Sequence, residues 1–293
     1  MWTGGLVTTG PRLGSAILAA MVTAARHADD WNASDYAANS RGQEAWGRAL
    51  IAQLRVQPSD TILDIGCGDG RLTALLATAA PDGRVVGIDL SPDMIRLARE
   101  RFGNQPNLMF ETGDAATLPF DGGFTKVFSN ATLHWVPDHA AVLDGIGRAL
   151  EPGGRCLLQM AGAGNALEVM RALEACGDDV RWPELLAEPS PWAFLDDFTY
   201  RRLIDASGLR ALDVRLFPRD MHHESRDAFR GWLRTTWHPY LKRVDETLRD
   251  ALLDSIIERY LERWPAGPDG SITLVMVRLQ VEAEKPTGRS CQP

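Results

Sequence analysis

The densest chemical signal in the 293-residue chain is LDIGCGDG at residues 63–70. Gly66, Gly68 and Gly70 follow the apolar run Thr61–Ile65 and precede the helical pattern Arg71–Ala80, so they make a strand-to-helix turn that lets backbone approach a ligand closely. The dinucleotide fingerprint G-x-G-x-x-G, whose third glycine helps seat a pyrophosphate, is not met; the spacing here is G-x-G-x-G with Arg71 next. Asp64, just before the glycines, suits a cationic ligand and would be out of place beside a pyrophosphate. No G-x-x-x-x-G-K-[ST] occurs, so a nucleotide triphosphatase is not indicated. Asp89 ends the next strand, where a carboxylate accepts both ribose hydroxyls of an adenosine. Its alternative role as a helix N-cap is already filled by Ser91. Leu90 and Met94 follow Asp89 and are assigned to the same site, and in GDAATLPF (113–120) Asp114 and the Ala115 amide meet the adenine edge. Together these residues fit an adenosine with cationic groups and no phosphate.

A second group of residues can act on an acceptor. Ser129, Asn130 and Ala131 close the fourth strand and face the reacting end of the ligand, and His134 and Trp135 come directly after. Enzymes that methylate exocyclic amines of bases carry N-P-P-[YF] at this place, whereas SNAT lacks both prolines. A carboxylate acceptor is ionised at neutral pH and needs no general base; a phenol or alcohol needs one, with His134, His222 and His223 as candidates. His222, His223 and Glu224 do not read as a metal site, because adjacent side chains point apart in a strand or helix. Arg226, Arg230 and Arg234 recur at helical spacing opposite Phe229, Trp232 and Leu233. That stripe is either a solvated face or a lining of the cleft in which Arg230 pairs with an acceptor carboxylate, with Arg215, Arg219 and Arg243 adding positive charge.

The elements that must position these residues alternate between short apolar runs and helical patterns from 60 to 160, which predicts a parallel sheet covered by helices on both faces. Strands are expected at Thr61–Ile65, Arg84–Asp89, Leu108–Thr112, Lys126–Ser129 and Arg155–Met160, with EPGG (151–154) as a turn. Helices are expected over Arg71–Ala80, from Pro92 to Gly103, from Asp138, and over Asn165–Cys176. Pro183, Pro189 and Pro191 break the following loop; 211–217 alternates as a strand, Ser225–Thr236 and Val244–Trp264 read as amphipathic helices, and Ser271–Leu279 as a final strand. The domain reading is an N-terminal extension helix at 1–30, a cofactor-binding core at 31–177, a cap at 178–266 that includes the 211–217 strand, a last core strand at 267–281 and a loose tail at 282–293.

Composition sets outer bounds. A net charge of −8 speaks against nucleic acid or an anionic membrane as the main partner. The four cysteines have no metal-like spacing and read as reduced, hence a cytoplasmic location; no metal is expected. The apolar segment Leu13–Ala25 is too short to span a bilayer, and Met21 offers a second possible start. A homo-oligomer formed through the extension is a further expectation.

LDIGCGDG, GIDLSPDMI, GDAATLPF, SNATLHWVPDH and ALEPGGR, over about 61–160, resemble the class I S-adenosylmethionine-dependent methyltransferase motifs in type, order and spacing. WNASDYAANSRGQEAW (31–46) and SNATLHW (129–135) are similar to the group holding the trans-aconitate, malonyl carrier-protein and juvenile hormone acid methyltransferases, all of which esterify carboxylates. The resemblance implies an α/β, Rossmann-like seven-stranded sheet of order 3-2-1-4-5-7-6, helices on both faces, a final antiparallel strand and a helical cap. It implies that Trp31, Tyr36 and Ser40 close over the cofactor, that Asn130 contributes to its site, and that Gln43 and Trp135 donate to an acceptor carboxylate. The function implied is O-methylation of a small organic acid. The alternatives are C-, N- or O-methylation of a larger apolar acceptor, and a non-catalytic cofactor-binding protein.

Overall fold

The computed structural model describes residues 41–288, and side chains from Trp46 onward. The described chain opens with α1 (Arg41–Leu54), followed by β1 (Thr61–Ile65), α2 (Arg71–Ala79), β2 (Arg84–Asp89), α3 (Pro92–Phe102), β3 (Leu108–Thr112) and β4 (Phe124–Asn130). Next come α4 (His139–Ala149), β5 (Leu150–Ala161), α5 (Leu167–Cys176), α6 (Asp197–Ala206) and β6 (Arg210–His223). The chain ends with α7 (Arg226–Thr236), the short α8 (His238–Leu241), α9 (Arg249–Arg263) and β7 (Ile272–Glu284). The seven strands form one sheet in the order β3-β2-β1-β4-β5-β7-β6. Strands β1 to β5 pair in parallel, and β7 runs antiparallel between β5 and β6. This is the Rossmann-like α/β architecture expected from the motifs.

Sequence and packing agree in the central strands because both sheet faces are covered, so consecutive residues are buried alternately on the two sides. Leu63 and Val127 enter a core with Val142 and Ile146 of α4 and Tyr200 and Ile204 of α6. Their neighbours Ile62 and Phe128 enter a second core with Leu50 and Leu54 of α1, Leu76 of α2 and Ile95 of α3. The predicted helix starts hold: the Ser91 hydroxyl accepts from the Met94 amide with Pro92 in the first turn, and Asp138 accepts from the Ala141 amide at 2.9 Å.

Four readings change. EPGG lies within β5, as a bulge where the register slips between Phe124 and Lys126 against Leu150 and Arg155. Helix α6 falls where a loop and cap were expected; Asp196 caps it, and it buries Tyr200 and Ile204 against the sheet, so 178–266 is not one cap. The 244–264 helix is broken at Asp245, which caps a short 3-10 turn before α9. The last strand runs through Glu284, because Glu282 and Glu284 face Arg155 across the sheet and Glu284 also pairs with Arg210. The cap is a third core, made by α5, α7, α8 and α9 over the ends of β6 and β7, with Trp182, Trp232, Trp237 and Tyr240 buried in it. The expected extension at 1–30 lies outside the described residues.

Candidate active site

The cofactor end is built mainly by backbone. The amides of Gly66 and Cys67 donate to the Ile88 carbonyl at 2.8 and 2.9 Å, tying the glycine turn to β2. Gly66 has φ +75°, and a Cβ there would lie 2.1 Å from Thr132, whose hydroxyl donates to the Gly66 carbonyl. Gly68 has φ +54°, and nothing lies within 4 Å of where its Cβ would stand, so this glycine borders open space. The Asp89 carboxylate accepts from the amides of Gly68 and Ser91, each at 2.9 Å, which fixes it at the rim of that space. Burial raises its pKa, and the Ser91 and Gly68 amides oppose the rise.

Asp64 lies beneath the turn, 2% exposed, and accepts from the Thr73 hydroxyl at 2.7 Å. Burial pushes its carboxyl up to about 7; the Thr73 bond opposes this and the nearby Asp89 charge adds to it. A buried carboxyl held this high is poised to ionise when a cation arrives. Leu90 is exposed beside Asp89, and Met94 is buried in the first turn of α3. Asp114 accepts from the Ala116 amide at 2.9 Å and so presents Ala115, which is buried, after β3. Asn130 ends β4, and its Oδ1 is buried with no hydrogen-bond partner among the described residues. Ala131 follows at φ 58°, a left-handed conformation held by its amide on the Gln159 carbonyl. The glycine turn, Asp64, Asp89, Ala115 and Asn130 thus lie at the carboxyl ends of β1, β2, β3 and β4. Open space over Gly68 and an orphaned Asn130 acceptor fit an adenosine with a cationic end.

The acceptor end is built by side chains. His134 and Trp135 sit in a 3-10 turn after β4. His134 Nδ1 is buried without a partner, and burial holds the imidazole well below its usual range, with the Arg278 and His139 charges adding to the effect. Trp135 stacks on His238 at 5.9 Å and meets Trp192 edge-on at 5.7 Å. Trp192 also packs on Phe194, Trp237 and Tyr240. Trp46 of α1 closes the side, with Arg219 of β6 and Arg278 of β7 over its ring.

Two arginines of the stripe, Arg226 and Arg230, turn to α9 and not to this cleft. Arg230 pairs with Asp254 at 3.2 Å and Asp250 at 3.1 Å, and Arg226 approaches Asp254 and Glu258. Arg226 and Arg230 therefore clasp α7 to α9, and the assignment of Arg230 to the acceptor is corrected. Arg215 pairs with Asp213, and Arg243 donates to the carbonyls of Leu185, Glu188 and Pro189. His222 and His223 point to opposite sides of β6: His222 meets the Thr273 hydroxyl, and His223 is buried against Phe229 and Trp232, inside the cap. Trp31, Tyr36 and Ser40 lie outside the described residues, as does the Gln43 side chain, although Gln43 itself falls on α1. Thr73, Thr132, Trp46, Trp192 and Arg278 were missed. Arg278 had a signal, as the one charge in the apolar run 272–281.

A methyltransferase domain family matches residues 62–154. A trans-aconitate 2-methyltransferase of Methylobacterium radiotolerans is 31% identical, over 87% of this chain and 98% of its own. An uncharacterised methyltransferase of Schizosaccharomyces pombe is 32% identical, over 77% of this chain and 90% of its own. Among solved structures, a Bacillus halodurans methyltransferase superposes with a TM-score of 0.59 at 17% identity, covering 83% of this chain and 100% of that one. A Haemonchus contortus phosphoethanolamine N-methyltransferase in complex with S-adenosyl-L-methionine gives 0.53 at 19% identity, covering 83% of this chain and 52% of that one. Among the described residues no helix is long and apolar enough to cross a membrane. By its sheet order, its glycine turn and these relatives, the chain belongs to the class I S-adenosylmethionine-dependent methyltransferases.

Proposed function

We propose that this enzyme O-methylates the carboxylate of a small organic acid. The observation that carries the reading is the state of His134. It is the histidine in the turn after β4, yet it is buried, its Nδ1 has no partner, and its basicity is held down. Such an imidazole is a poor base for a phenol or alcohol, whose proton leaves only near or above pH 10. A carboxylate arrives already ionised.

When bound, S-adenosylmethionine supplies a methyl group on a sulfonium, which a carboxylate oxygen takes with no proton to move. Asp89 holds the ribose, the Ala115 amide and Asp114 meet the adenine, and Asp64 balances the cationic end. The turn at Ser129–Thr132 and the Trp135 and Trp192 rings exclude water and align the acceptor, which is where the rate gain arises. The trans-aconitate relatives support this choice of acceptor. The cap's aromatic rings favour a second reading, a larger apolar acceptor, but Trp192 and Trp237 pack on each other at 5.0 Å and so leave less room between them. The free, buried Cys67, Cys156 and Cys176 support a cytoplasmic enzyme.

The test uses methyl-labelled cofactor with a panel of organic acids and phenols, followed by alkali. Esters hydrolyse and release the label as methanol. Label that survives alkali identifies an ether, amine or carbon product and sinks the carboxylate reading.

A further inference from the structure

Glutamines from β5, β7 and α1 form a hydrogen-bonded row between the sheet and α1. Gln159 of β5 and Gln280 of β7 are 2% and 4% exposed, and they are register partners. Asn130 of β4 is the register partner of Gln159 on its other side. Two residues earlier on the same face, Phe128 and Leu157 pack with Leu50 and Leu54 of α1. Primary amides beside such an apolar layer are costly unless bonded. Gln159 Nε2 donates to Gln280 Oε1 at 3.0 Å, and Gln280 Nε2 donates to Gln53 Oε1 at 3.1 Å. Gln53 Nε2 ends the row on the Ala49 carbonyl at 3.3 Å.

That backbone carbonyl fixes the direction of the whole row. Only an N–H can face the Ala49 oxygen, so each amide donates toward α1 and turns its oxygen back along the row. The last oxygen, Gln159 Oε1, is turned from β7 toward β4. It is buried with no hydrogen-bond partner among the described residues, and so is Asn130 Oδ1. The Asn130 amide is oriented by α1: its Nδ2 is 3.2 Å from where a Cβ on Gly47 would stand, which leaves Oδ1 turned from the helix. Two carbonyl dipoles thus bring their negative ends to the carboxyl ends of β4 and β5, the edge where ligands bind in such sheets. Two buried acceptors without donors are costly, and a nearby positive charge offsets that cost. An aimed dipole in a low dielectric acts through space and needs no direct contact.

The cofactor of this family carries one charge that its product lacks. When the methyl group passes to an acceptor, sulfur keeps the electron pair of the broken S–C bond, and the sulfonium becomes a neutral thioether. We propose that the Gln159 and Asn130 oxygens form a dipole pair directed at the sulfonium of bound S-adenosylmethionine, with Gln280 and Gln53 as the residues that position Gln159. The pocket thereby favours the charged cofactor over S-adenosylhomocysteine and loosens its hold once the methyl group has gone. The charged groups nearest on this face are Asp64 of β1 and Arg278 of β7, whose guanidinium lies over Trp46. The dipole pair acts whichever acceptor takes the methyl group, so it stands or falls apart from the carboxylate reading.

The test measures binding of S-adenosylmethionine and S-adenosylhomocysteine to the full-length protein by calorimetry, without acceptor. The two ligands differ by one methyl group and the charge on sulfur, so a general packing defect weakens both and leaves their ratio unchanged. Gln159→Met, which keeps the side chain's length and leaves Asp64 and Arg278 in place, lowers the affinity ratio of cofactor to product by about threefold to tenfold. Gln280→Met, which removes only the acceptor that orients Gln159, lowers it by about twofold. Sinefungin, with an amine-bearing carbon in place of the sulfonium, follows S-adenosylmethionine in both variants. Should Gln159→Met not fold, Gln53→Met, at an exposed position, breaks the same row and lowers the ratio by about twofold. A ratio unchanged in Gln159→Met, or in Gln53→Met where that variant stands in, overturns the proposal, even if both ligands are weakened together. Sinefungin that follows S-adenosylhomocysteine overturns it as well, because the methyl contact and not the charge then sets the ratio.

Discussion

The two halves of the active site are built differently. At the candidate cofactor end, the turn after β1, Asp89 at the end of β2 and Ala115 just past β3 each sit at the carboxyl end of a parallel strand, and much of the surface is backbone. On the candidate acceptor side, Trp46, His134, Trp192, Arg219, His238 and Arg278 come from six separate segments, joined by rings and charges. A backbone cradle is specific for one ligand and tolerates little change. A side-chain wall can be rebuilt while the sheet beneath it stays the same. The contrast explains how one sheet carries both a fixed cofactor and a variable acceptor.

The comparison can be broken most severely in the cap. Trp237 is 3% exposed and packs on Trp192, Trp232 and Tyr240. Trp237→Ala is expected to cost about 3–5 kcal/mol in chemical denaturation. Acceptor turnover should fall steeply, while affinity for S-adenosylhomocysteine changes by less than about twofold because the two ends share few side chains. A matching loss of cofactor binding would show that the halves are one unit.

Two glycines separate structural from ligand space within the cofactor end. Gly66→Ala forces a Cβ onto Thr132 at positive φ and should cost about 2–4 kcal/mol of stability. Gly68→Ala meets no protein atom, so it should cost only about 1 kcal/mol of stability yet weaken the cofactor more than its fold. Paired melting and calorimetry decide this; equal stability losses would erase the distinction.

Asp89→Ala removes a charged acceptor from the ribose and should weaken cofactor binding about tenfold to a hundredfold. Unchanged affinity would take the ribose role from Asp89. Asp64 gives a pH signature. Its carboxyl stands near 7 in the free protein, and a cationic ligand favours the ionised form. Cofactor affinity should therefore rise about tenfold between pH 6 and pH 8, with proton release visible in buffers of different ionisation enthalpy. The stability sign is the reverse: with its pKa raised above the unfolded value, the group's stabilisation is present at low pH and lost as pH rises toward 7. Asp64→Asn should flatten both curves, and a pH dependence that persists in this variant would assign it elsewhere.

The smallest effect is expected at Arg230. Its partners Asp250 and Asp254 are largely exposed, so Arg230→Ala should cost no more than about 1 kcal/mol and leave the acceptor's KM unchanged. A raised KM would return the stripe to the cleft.

Residue order alone made the strand-turn-helix geometry of the candidate cofactor end legible, because each motif there is continuous: a buried strand, a turn residue and a helix cap within a few positions of one another. It also determined the sheet, through strands that read as short apolar runs with capped helices between them. Helix α6 escaped, since only Tyr200 and Ile204 mark its buried face and three prolines precede it. The direction of the Arg226–Arg234 face was equally out of reach, because helical spacing groups side chains on one side without saying what that side meets. It took the packing of α7 on α9 to place acidic partners opposite the stripe. Arg278 shows the same limit from the other side. As one charge in an apolar run it is visible in the sequence, but its meaning depends on the antiparallel insertion of β7 between β5 and β6. That register, a long-range pairing between segments more than a hundred residues apart for β5, brings the guanidinium to the carboxyl end of β5 and over the ring of Trp46.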